Sequence, residues 1–280
     1  MLSIMLSFLF IVMSSAVLFA DQTWTDRITI RQSTLDKNYI EKPATLQYIH
    51  SSEKGDSYAI DAGLTINAHE TDRWLVGPSA EYHRKTETSK EQDNFQVGLT
   101  VINTSGDVTE HLVLYTQASF KYKKDKINTG EGLLAKINFT PLKSSWLLGD
   151  AKDLGLGIKA LWQPSLGVQY ETASDVLKTD EHGTISRAAA SVEVGIYPFA
   201  RALRSNLILV VRDDYWLNIH RTGGFKDAYD NDQNLFQASI TYYFDEKQHF
   251  GTGIDYSEGE NPEEGLPEQA IILLSLKIKF

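Results

Sequence analysis

From residue 44 to the C-terminus the chain repeats one pattern: about ten residues of alternating apolar and polar character, then a polar turn. A period of two puts every second side chain on the same face, which marks a strand with one apolar side. Tyr58, Ile60, Ala62, Leu64 and Ile66 share a parity, with Asp61, Gly63 and Thr65 between them. Phe95, Val97, Leu99 and Val101 alternate with Gln96, Gly98 and Thr100, and Ala188, Ala190, Val192, Val194 and Ile196 flank Ser191, Glu193 and Gly195. Leu154, Leu156, Ile158, Ala160 and Trp162 read as one alternating run, and the last strand carries Ala270, Ile272, Leu274, Leu276, Ile278 and Phe280. With the less regular segment 44–52, the pattern predicts about twelve strands. Outside the first twenty residues, no segment longer than two turns has helical periodicity. The expectation is an all-β, antiparallel protein.

A soluble sandwich and a membrane barrel both alternate, so the polar face has to decide between them. A sandwich exposes many charges to water. Here that face is rich in Gly, Ser, Thr and Gln with scattered charges, which suits a confined polar lumen. The predicted strands match the roughly 9–11 tilted residues that cross a bilayer. Tyr and Trp recur near strand ends, at Trp74, Tyr82, Tyr122, Trp162, Tyr170, Tyr215 and Tyr256, where an aromatic girdle would sit. If the C-terminus is periplasmic, the inner links are 67–72, 105–109, 141–153, 200–205 and 245–248. The two longest connections, 171–186 and 220–233, then fall outside, as does 257–268. The long inner link suggests a short helix at Leu147–Ala151. An even strand count places both ends on one side. Together these predict a transmembrane antiparallel up-and-down β-barrel over 44–280, preceded by a polar segment, 21–43.

Composition changes the picture mainly by exclusion. The 280 residues contain no Cys, which rules out disulfides and cysteine-based zinc sites. The net charge of -10 argues against a nucleic-acid partner, because no basic surface would displace phosphate counterions. The N-terminal MLSIMLSFLFIVMSSAVLFA carries no charged side chain and reads as a secretory signal peptide over 1–20. Cleavage is expected after Ala16 or Ala20.

The closing LLSLKIKF, an alternating strand ending in Phe280, resembles the assembly signal of Gram-negative outer-membrane β-barrels. The resemblance is to the class, porin-like barrels included, and to no single member. It implies residence in the bacterial outer membrane, contact with outer-membrane lipid and lipopolysaccharide, and recognition by periplasmic chaperones and the barrel-assembly machinery. Porins for acidic oligosaccharides resemble this chain in strand number, but they line the lumen with many arginines. Here Arg212 is almost alone.

The inward parity holds Asp61, Glu81, Glu193, Asp214 and Asp255 against Lys121, Lys136, Lys159, Arg212, Lys277 and Lys279, five acids facing six bases. Selective pores use rings of one sign, so this near balance predicts a small passive channel with weak charge selectivity. The alternative is a closed structural or surface-binding barrel whose interior charges pair. In the run Arg212-Asp213-Asp214, strict alternation would point Asp213 at lipid. A β-bulge would turn it inward.

Catalytic chemistry has one weak candidate, a lipid hydrolase using the His50-x-Ser52 pair, the minimum for a hydroxyl nucleophile with an adjacent base. Outer-membrane phospholipases carry a similar pair followed by Asn-Gly, whereas this chain continues Glu53-Lys54-Gly55. Asp230-x-Asp232-x-Asn234 begins like a calcium loop, but Leu235 stands where glycine is required, so neither metal nor cofactor is expected. Glu258, Glu260, Glu263, Glu264 and Glu268 make the last outer loop acidic and solvated in this reading. The loop 220–233, with Gly223-Gly224-Phe225, is the candidate to fold into the lumen as a constriction.

Overall fold

The computed structural model describes residues 28–31, 44–51, 55–86, 91–106, 111–127, 130–174, 176, 182–228, 230–263 and 266–278. Among them the alternating segments form strands in one sheet. In chain order these are β1 (Ile28–Arg31), β2 (Ala44–Ser51), β3 (Gly55–Ile66), β4 (His69–Glu70) and β5 (Trp74–Lys85). Next come β6 (Gln92–Thr104), β7 (Val113–Asp125), β8 (Gly130–Leu142), β9 (Lys152–Gly155) and β10 (Ile158–Ala173). The last five are β11 (Gly183–Tyr197), β12 (Leu207–Gly223), β13 (Asp232–Tyr243), β14 (Phe250–Asn261) and β15 (Leu266–Ile278).

Each long strand pairs antiparallel with its sequence neighbour, and β15 returns to β2 through Ser275–Gln47, Leu276–Leu46, Lys277–Thr45 and Ile278–Ala44. The sheet therefore closes into a barrel of twelve strands, and the short β1, β4 and β9 are additions to its wall. Closure leaves the twelve-stranded wall without a free edge, the condition for a sheet to stand in hydrocarbon.

The alternation predicts the two faces correctly. Leu64, Leu99, Phe120, Leu166, Ile240, Ile254 and Leu274 are exposed on the outside, while Ser79, Gln96, Thr100, Lys121, Gln163, Glu193 and Thr241 are buried inside. Apolar outside and polar inside is the reverse of a soluble protein, and it suits lipid around the wall. Trp74 and Trp162 sit outward near the rim that carries both chain ends, and Tyr170 and Tyr215 sit outward towards the far rim. Inside the barrel near the terminal rim, apolar side chains form two clusters: Leu75, Ile102, Val113, Tyr115 and Leu142 in one, Leu161, Tyr197, Ala200, Ile208 and Tyr243 in the other.

Five local expectations need correction. The run from Leu154 to Trp162 is not one strand. Gly155, Leu156 and Gly157 take φ values of 87°, 55° and 75°, and three successive left-handed residues make a tight turn that joins β9 to β10 as a hairpin. The long inner link has no helix at Leu147–Ala151; a single 3-10 turn spans Ser144–Trp146 and ends at Leu147, whose φ is 61°. The far-rim loops are shorter than the sequence suggests, because β10 to β15 run on past the apolar belt. Backbone pairing needs no apolar face, and polar pairs such as Thr184 and Thr222, whose hydroxyls meet at 2.8 Å, line the extension. The segment 21–43 contributes β1, which pairs with Gly63–Ile66 at the terminal end of β3. Finally, the β12 register is unbroken through Arg212, Asp213 and Asp214; the irregularity lies further along, at Ser186/Arg187. Asp213 therefore points outward, where Asn234 Nδ2 donates to it at 2.7 Å.

Candidate functional site: the barrel lumen

The inward side chains build the lumen as paired charges. On one wall Lys121 Nζ lies 2.7 Å from Glu81, both side chains almost fully buried, and His83 Nδ1 lies 3.1 Å from Asp61. On the other, Arg212 Nε donates to both oxygens of Asp214 at 2.9 and 2.7 Å, and its Nη1 lies 3.6 Å from Glu193. Beside the seam, Lys277 Nζ and Ser275 Oγ both donate to Asp255 at 2.5 Å. Lys159 is part-exposed close to the terminal rim, next to the β9–β10 hairpin. Lys279 and Phe280 lie outside the described residues.

The densest network stands nearer the far rim, on residues the alternation assigns to loop edges. Lys123 Nζ donates to Glu171 at 2.7 Å, and Arg187 Nη1 donates to the other oxygen of Glu171 at 2.7 Å. All three side chains are 2 % exposed or less. Into this network comes the turn between β14 and β15. Lys136 Nζ donates to both carboxylate oxygens of Glu263 at 2.8 and 2.6 Å, and Trp216 Nε1 donates at 2.9 Å. Gln169, with its amide nitrogen turned to the same carboxylate, donates at 2.8 Å while its oxygen accepts from Arg187 at 3.0 Å. The main chain of the turn is held as well: Gln96 Nε2 donates to the Glu263 carbonyl at 3.1 Å and Lys123 to the Pro262 carbonyl at 3.3 Å.

Those partners sit on β6, β7, β8, β10 and β12, so the tip of the turn reaches across the lumen to the opposite wall. The local sequence explains why it bends inward. The β14–β15 ladder shifts register between Gly259 and Asn261, and Gly259 has φ 111° with a neighbouring carbonyl, that of Asn234, 2.0 Å from where a Cβ would be. Only glycine fits there. Asn261 Oδ1 then accepts from the Glu263 N–H at 3.0 Å, an Asx turn that fixes the tip.

The acidic loop is thus not simply solvated, and the 220–233 loop also turns inward at the far rim. That loop forms a helical turn, Phe225–Ala228, whose Phe225 packs on Ala173, Val176 and Ile185. Sequence reasoning missed Lys123, Glu171, Arg187, Trp216 and Glu263. For the first four the signal was present: each keeps the inward parity of its strand, and Trp216 is an indole on a polar face. Nothing in the pattern singles out Glu263 among its acidic neighbours. Of the hydrolase pair, His50 has only its backbone described, opposite Asp56 in the β2–β3 ladder, and Ser52 lies outside the described residues.

A closed, even-stranded wall, apolar outside and charge-paired inside, has one physical setting. The chain folds as a transmembrane β-barrel of twelve antiparallel strands. No protein-family model and no curated protein matches its sequence. Solved structures similar to the barrel include the NanC porin, at 8% identity and a TM-score of 0.49 over 85% of this chain and 100% of that one. OccK11 (OpdR) of Pseudomonas aeruginosa is 12% identical with a TM-score of 0.37, over 91% of this chain and 63% of that one. OmpT of Vibrio cholerae is 13% identical with a TM-score of 0.34, over 80% and 66%.

Proposed function

We propose that the barrel is a narrow passive channel for small solutes, with weak selectivity for charge. The observation that carries the reading is partial exposure inside a closed wall. Asp61, Arg212 and Asp255 all point inward, yet their side chains keep 18, 19 and 20 % exposure. Space that exposes an inward side chain must lie in the lumen. The part-exposed, inward Ser165, Ser191, Gln237 and Ser239 extend this polar space along β10 to β13. Charges there are paired, so the lumen offers no ring of one sign to exclude anions or cations.

A second reading, a closed structural barrel, is favoured by the Glu263 tip, which fills the lumen at one level. Planar-bilayer recording of the refolded chain separates the two. Stepwise single-channel currents with similar permeability to potassium and chloride are the expected result. A bilayer containing folded protein that stays silent would sink the channel.

A further inference from the structure

We infer that Glu263 is the selectivity-determining residue of the lumen, a counter-charge carried in by the last far-rim turn rather than by the wall. The inference rests on the channel reading and names the residue that sets its weak selectivity.

The charge count in the network makes the case. The hydrogen-bonded groups borne by strands are Lys123, Lys136 and Arg187 against Glu171. Three cations facing one carboxylate would form an anion-attracting ring, because fields between confined charges are screened far less than at an open surface. Glu263 supplies a second carboxylate, beside Glu260 of the same hairpin, whose charge also reaches Arg187. It binds Lys136 directly and reaches Arg187 through Gln169. Half of that excess positive charge is thereby cancelled at this level of the lumen.

The same tip also takes up space. Its main-chain carbonyls accept from Gln96 and Lys123 on the opposite wall, so the turn lies across the passage instead of along one side. Glu258 behaves differently: it is exposed and accepts from Tyr256 on the outer face at 2.6 Å. Position, not acidity, distinguishes Glu263 from it. The wall sets the size of the barrel, and the turn sets the charge and bore at the level it crosses.

The test combines selectivity with a position readout that needs no current. In a salt gradient, Glu263→Gln is expected to move the chloride-to-potassium permeability ratio from near unity to ~3 or more, with conductance raised about twofold. Lys136→Gln is expected to move the ratio the opposite way. Because the chain has no cysteine, the pair Gln96→Cys with Pro262→Cys can be joined by a short bis-thiol reagent without side reactions. Joining should occur in the folded barrel. Failure of that pair to join in folded protein overturns the inference, since the tip would not be in the lumen. Wild-type current with an unchanged ratio in Glu263→Gln overturns the inference and leaves the channel standing. Joining with no current from wild type, Glu263→Gln or a form lacking 262–265 overturns the channel reading, and this inference with it.

Discussion

Lys123 reaches over β8 to place its ammonium 2.7 Å from Glu171, and neither side chain touches solvent by more than 2 %. Arg187 holds the second oxygen of the same carboxylate. One acid thus balances two cations in a space with little water. Removing a single partner from such a group leaves uncompensated buried charge, which costs about 3–5 kcal/mol. Glu171→Leu is therefore expected to lower the urea midpoint of the folded barrel sharply, and Glu171→Ala likewise. A midpoint within error of wild type would show that water already solvates the two cations.

Asp213 sets a smaller stake on the outer wall. It lies outward between Val211 and Tyr215, exposed and held by the Asn234 amide. A carboxylate facing lipid is unfavourable, though less so than Arg or Lys. Asp213→Ala should stabilise the barrel by about 1 kcal/mol, whereas Asn234→Ala should destabilise it by about the same amount by leaving the acid without its donor. Unfolding of the two variants in lipid vesicles checks the opposite signs.

Leu156 occupies the middle of the β9–β10 turn at φ 55°, 98% exposed. A residue with a Cβ pays roughly 1 kcal/mol or more in this left-handed region, and glycine does not. Leu156→Gly is expected to raise the thermal midpoint of unfolding. Leu156→Val, whose branched side chain fits that region worse, should lower it.

Acid should loosen the same hairpin. The Gly155 amide and then Arg201, 3.0 Å away, hold the Asp153 carboxyl below its usual range. A depressed folded value contributes stability above the unfolded value of about 4 and loses it as pH falls through the folded one. Wild type is thus expected to exceed Asp153→Asn in stability at neutral pH, and the two should converge as pH falls below the depressed folded value. A gap that persists at low pH would assign the effect to shape rather than charge.

The wall was legible because a barrel repeats one rule. Period two gives strand after strand, and it placed Glu81, Lys121, Glu193 and Asp255 indoors without any tertiary information. It failed where pairing outlasts the hydrophobic signal. Glu171 and Arg187 belong to β10 and β11, but polar residues on both faces made that stretch read as loop. It failed also at Leu156, because an apolar residue in a turn keeps the alternation that a strand would have. Glu263 was out of reach for a different reason. Its place depends on the left-handed Gly259, on the Asn261 side chain, and on a cationic wall several strands away. No local pattern records that kind of match.

The position of that turn in the chain also ties charge to closure. Glu263 lies just before β15, the strand whose pairing with β2 closes the wall. Without the final hairpin in place, Lys136 has neither this carboxylate nor a finished lumen around it. The last thirty or so residues therefore deliver two things together, the missing edge and the missing negative charge. Sealing the cylinder and neutralising its interior become a single step of biogenesis.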